Sequence, residues 1–110
     1  MRKAILLAAA VAVLTPAAAR ADQVFAMSIR LLAAHERGCP GLRLRPAGLF
    51  DLVESRGLML RWSKSRIERE AERTGNAMFD EYRDGPQRFC ARAKRDAQTF
   101  RELLKRYRAI

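Results

Sequence analysis

The chain is poor in the residues on which most enzyme chemistry depends. Its 110 residues include one histidine, His35, and two cysteines, Cys39 and Cys90. A nucleophile needs a base within hydrogen-bond reach and a zinc site needs about four ligands, so one histidine leaves neither to assemble. No Cys-x-x-Cys redox motif is present. Glycine is scarce as well, and Gly38, Gly41 and Gly48 do not have the spacing of a phosphate-cradling loop. With 6 Gly and 4 Pro the chain is neither collagenous nor low-complexity. Carboxylate pairs stand at i,i+4 spacing, Glu68/Glu72 and Asp80/Asp84, but each lies among arginines, as on a solvated salt-bridge face. The sequence therefore reads as non-enzymatic, with no metal and no cofactor.

Long hydrophobic runs are also missing. The longest, residues 4–14, has about 11 residues, well short of the ~20 that span a bilayer. It follows Arg2 and Lys3, is broken by Pro16, and leads to Ala19-Arg20-Ala21, whose small residues at alternate positions suit a signal peptidase. The expectation is a signal peptide over residues 1–21, cleaved after Ala21, and a domain over residues 22–110. No transmembrane segment is expected, and no cysteine near the cleavage site can take a lipid. The domain is placed in the periplasm.

That compartment gives the two cysteines their meaning. An even count in a short exported chain argues for a disulfide between Cys39 and Cys90. A domain of about 90 residues buries little more than ~60% of its unfolded surface, so a covalent closure is useful to it.

Strand signals are almost absent, confined to the alternation Leu42-Arg43-Leu44-Arg45, which reads as an extended connector. The remainder reads as an all-α bundle of about four helices. The first covers residues 22–36, with Asp22 as N-cap and Val24, Phe25, Met27, Ser28, Leu31, Leu32 and His35 at helical spacing. Gly38-Cys39-Pro40-Gly41 stops it. A second begins at Pro46 and runs through Leu49, Phe50, Leu52 and Val53 to Gly57. Residues 58–62 read as a connector. Ser65-Arg66-Ile67-Glu68 matches a capping box for a third helix, which Gly75 should kink or divide. A fourth starts at Asp84-Gly85-Pro86-Gln87 and carries the stripe Phe89, Cys90, Ala93, Ala97, Phe100, Leu104 and Tyr107. A disulfide would then tie the end of the first helix to the start of the fourth.

Acids are in short supply: 12, against 22 Lys plus Arg, for a formal charge of +10. Loss of residues 1–21 removes Arg2, Lys3 and Arg20 and no acid, leaving +7 on the domain. Two arrays of bases are candidate binding residues: Arg61, Lys64 and Arg66 beside Trp62, and Lys94, Arg101, Lys105 and Arg108 along one side of the fourth helix. Such arrays suit phosphates of lipid head groups or lipopolysaccharide. Export argues against nucleic acid as the ligand.

The order of signal, Gly38-Cys39-Pro40-Gly41-Leu42-Arg43-Leu44, helical middle, Gly85-Pro86 and Phe89-Cys90-Ala91-Arg92-Ala93 resembles small two-cysteine exported proteins of alphaproteobacteria, which have no assigned activity. A looser similarity is to the HdeA-type acid-stress chaperones of the periplasm, from which the basic charge and the Cys-Pro-Gly turn depart. These resemblances imply a periplasmic, disulfide-closed helical protein. Two roles are expected for it: binding a protein partner or an anionic envelope component, or alternatively protecting clients in acid.

Overall fold

The computed structural model describes residues 16–110, and among them every regular element is a helix. These are α1 (Pro16–Arg37), α2 (Pro46–Met59), α3 (Lys64–Asp84), α4 (Pro86–Thr99) and α5 (Arg101–Arg106). The basic start and apolar run of the expected signal, residues 2–14, lie outside the described residues.

α1 is the centre of the bundle. Val24, Phe25, Met27, Ser28, Ile29, Leu31, Ala33 and Ala34 are all buried, which covers far more than one face of a helix. That breadth follows from the packing, because α2, α3 and α4 each lie against α1. The hydroxyl of Ser28, having no solvent, donates to the Val24 carbonyl at 2.8 Å. Asp22 is not an N-cap: the helix begins at Pro16, and Asp22 is an exposed residue within it, next to the buried Ala21. His35, placed by spacing on the apolar side, is exposed.

Close approach of backbones explains where α2 departs from expectation. Gly57 does not end the helix but lies buried within it, where a Cβ would run into the Ile67 side chain of α3. The helix continues to Met59 and closes through the Trp62 N–H, which donates to the Gly57 carbonyl at 3.0 Å. Arg61, at φ 61°, takes the left-handed position usually given to glycine. At the other end of α2, a Cβ on Gly48 would lie 2.6 Å from the backbone of Arg108 and Ala109. That contact lets the last residues clamp onto the start of α2. The Arg45 N–H donates to the Ala109 carbonyl at 2.7 Å, and Arg108, at φ 55°, turns the chain into place.

Ser63 rather than Ser65 caps α3, its hydroxyl accepting from the Arg66 N–H at 3.2 Å. The helix passes Gly75 without dividing. α4 starts at Pro86 as expected, but the expected fourth helix breaks at Phe100 into α4 and α5, giving five helices among the described residues. No glycine or proline marks that break.

Cys39 and Cys90 form the disulfide, with Cα atoms 5.4 Å apart. It joins the turn after α1 to α4 and encloses α2 and α3 in the covalent loop. A second α1 to α4 tie is electrostatic: Arg30 Nη1 donates to Asp96 Oδ2 at 2.7 Å, with side chains only 10% and 20% exposed.

Candidate functional site

The expected binding residues do not form one surface. Lys94, Arg101 and Lys105 fall on one side of α4 and α5, with Ala97 and Gln98 between them at helical spacing. The connector after Gly41 lies opposite, and together they enclose a groove of about 890 Å³. Leu42, Leu44, Ala97 and Ile110 give it an apolar lining, and Arg43 adds a fourth cation. The alternation Leu42-Arg43-Leu44 accounts for both: Leu44 is buried and Leu42 half-buried, while Arg43 is exposed. The Lys94 Nζ sits 3.8 Å from where a Gly41 Cβ would be, so the amine stands over that turn.

No Asp or Glu lines the groove. Among the described residues none of its four cations takes part in an ion pair; the pairs formed are Arg30–Asp96, Arg73–Glu70, Arg83–Asp80 and Arg92–Glu81. Uncompensated like charges on a shared concave surface raise a positive potential that draws anions. Arg43 escaped the sequence reading because an extended connector has no face until something packs against it.

Arg61, Trp62, Lys64, Arg66 and Arg108 do not line this groove. Four of them have structural work. Arg61 and Arg108 hold the left-handed turns after α2 and α5, where a cation also suits the negative helix terminus. Arg66 lies over the Trp62 ring at 4.9 Å, and Trp62 meets Phe25 edge-on at 5.2 Å. Arg66 thus covers a ring that packs against the core. Lys64 is simply exposed.

A second concavity, of about 670 Å³, lies between α1, α2 and α3 and has the opposite polarity. Ile29, Leu32, Ala33, Phe50, Ala71 and Phe79 line it, with Glu36 and Glu72 at its edge and no Lys or Arg among the described residues. His35 also borders it. The expected salt-bridge face holds only in part here. Asp80 pairs with Arg83, but neither Glu68 nor Glu72 has an ion-pair partner among the described residues. Glu70 pairs with Arg73 instead, and that hydrogen bond holds its carboxyl below the usual carboxylate range.

One further polar cluster joins α2 to the end of α5. Arg56 Nη1 donates to Ser55 Oγ at 3.0 Å and to Tyr107 Oη at 3.1 Å. Hydrogen bonding from Ser55 and then Arg56 holds the pKa of the Tyr107 phenol below its usual value.

Fold and site define a class: an all-helical, disulfide-closed bundle with two surface grooves of opposite charge. Comparison with family models, curated proteins and solved structures finds no match for the chain.

Proposed function

We propose that this chain is an exported, non-enzymatic periplasmic protein that binds a phosphate-bearing lipid of the cell envelope in the cation-rimmed groove. One observation carries the reading: Arg43, Lys94, Arg101 and Lys105 converge, without acids, on a groove lined by Leu42, Leu44, Ala97 and Ile110. Its chemistry matches a headgroup phosphate attached to an acyl chain. Guanidinium groups bind phosphate oxygens in pairs, and the leucine floor takes the first methylenes. The volume falls in the ~300–1,000 Å³ range of ligand sites. Export is supported by the pattern of residues 1–21 and by a disulfide, a bond that persists in oxidising compartments. Because Ala21 is buried inside α1, cleavage there would act on the unfolded chain.

The test is sedimentation with vesicles. Phosphatidylglycerol vesicles should pull the protein down at low salt and release it at high salt, and phosphatidylcholine vesicles should leave it in solution. Equal binding to both, or none to either, overturns the reading.

The acid-stress alternative has one observation in its favour. Acid that protonates the carboxylates takes the counter-charge from Arg30, buried between α1 and α4, while the domain moves from +7 toward about +19. Loosening of α4 would then bare apolar surface. Suppression of client aggregation at low pH tests it, and no protection there removes it.

A further inference from the structure

We infer that the cleft between α1, α2 and α3 docks an amphipathic peptide segment that carries a lysine or arginine beside its apolar face. Three independent features of the cleft lead to this occupant.

The first is unfilled apolar space. Ile29 and Ala33 form a buried floor, while Phe50 stands at the edge 61% exposed, the most exposed large hydrophobic side chain among the described residues. An open channel walled by three helices is the shape that receives a further helix, which lays its apolar side chains into it at i, i+3 and i+4.

The second is Gly75, on the α3 wall of the cleft. Glycine in a helix interior costs about 1 kcal/mol relative to alanine. At Gly48 packing demands it, because a Cβ would strike backbone. At Gly75 a Cβ would meet only Ile29 Cγ2, at 3.9 Å, an ordinary contact. The bundle itself therefore has no need of glycine here. What its absence of a side chain does is keep the channel open by the width of one residue.

The third is charge. In a chain with 22 bases and 12 acids, the cleft is edged by Glu36 and Glu72, and among the described residues no base lines it, Arg37 lying over the Phe79 ring at 4.6 Å. Neither acid has an ion-pair partner among the described residues. A lysine or arginine of the occupant would satisfy them, whereas an anionic lipid would be repelled.

The test uses the full oxidised chain and fluorescein-labelled helical peptides of about four turns, with Leu and Phe on one face. One peptide has lysines flanking that face and the other has glutamates at those positions. Fluorescence anisotropy should show the lysine peptide binding at least about tenfold more tightly than the glutamate peptide. Gly75→Leu fills the channel and should weaken the lysine peptide by about tenfold or more, with helical circular dichroism retained. Glu36→Gln/Glu72→Gln, both at the surface, should abolish the preference for lysine over glutamate. These variants should leave vesicle sedimentation unchanged, which separates this site from the lipid groove. Equal binding of the two peptides overturns the inference. So does a preference unchanged in Glu36→Gln/Glu72→Gln, even if Gly75→Leu proves unfolded. Self-association of the wild-type chain that Gly75→Leu abolishes would make the occupant a second copy and also overturns it.

Discussion

Replacing Asp96 by alanine would strand the Arg30 guanidinium inside the bundle. The Arg30 side chain is 10% exposed and its Nε already lacks a hydrogen-bond partner, so the 2.7 Å contact with Asp96 is its principal compensation. Breaking one side of a buried pair costs about 3–5 kcal/mol. Solvent reaches a fifth of the Asp96 side chain, so the lower end applies, about 3 kcal/mol. For a domain of this size that is a fall in Tm of roughly 12–24 °C. Arg30→Met should cost less, about 1–2 kcal/mol, because the remaining carboxylate lies closer to solvent. The double variant Arg30→Met/Asp96→Ala removes both charges together and should come within about 1 kcal/mol of the wild type. Urea unfolding of the oxidised proteins, followed by circular dichroism and Trp62 fluorescence, measures all four corners of the cycle. A coupling of at least about 2 kcal/mol is expected. Additive losses, or an Asp96→Ala cost under about 1 kcal/mol, would refute the argument that this pair is buried and mutually dependent.

Three shorter predictions follow from other parts of the fold. Cys39→Ala/Cys90→Ala opens a loop whose ends are 51 residues apart, and chain entropy puts the loss near 4 kcal/mol; chemical denaturation should show most of it, and a loss under about 1 kcal/mol would mean the bundle holds α4 without the bond. Gly48→Ala forces a methyl against the Arg108–Ala109 backbone and should cost about 2–3 kcal/mol in a thermal melt, where a neutral effect would show that the last residues are not clamped to α2. Tyr107 titrates below the usual phenol value of 10.0, so its ionisation stabilises the fold only in alkali: the gain is complete above the unfolded value, is lost as pH falls through the lowered folded value, and is absent at neutral pH. Ultraviolet titration of Tyr82→Phe, which leaves Tyr107 as the only tyrosine, should give a midpoint below 10.0 that rises on adding Arg56→Gln; a midpoint at or above 10.0 contradicts the hydrogen-bond assignment.

Where spacing and covalent logic decide, the sequence was informative. The helical class, the Pro46 and Pro86 starts and the Cys39–Cys90 bond depend on local pattern or on a count of two. What it could not reveal depends on neighbours distant in the chain. Gly57 looks like a helix end until Ile67 is known to pack on it, and nothing in the local pattern shows that Arg61 closes a left-handed turn. Arg30 is one arginine among many, and only its Asp96 partner, 66 residues on, explains its burial. The Lys94, Arg101 and Lys105 side was readable from one helix period, but Arg43 and the leucine floor come from a connector folded across it. The acidic cleft was invisible for the same reason, since its walls come from three helices.

If the groove binds an anionic lipid as proposed, capture depends on where the cations stand and not on net charge. Two triple variants change the total charge by the same amount: Lys94→Glu/Arg101→Glu/Lys105→Glu in the groove, and Arg61→Glu/Lys64→Glu/Arg66→Glu around Trp62. Sedimentation with phosphatidylglycerol vesicles should lose the first variant and keep most of the second. Equal loss in both would contradict the account, because it would reduce the binding to a property of the whole basic surface.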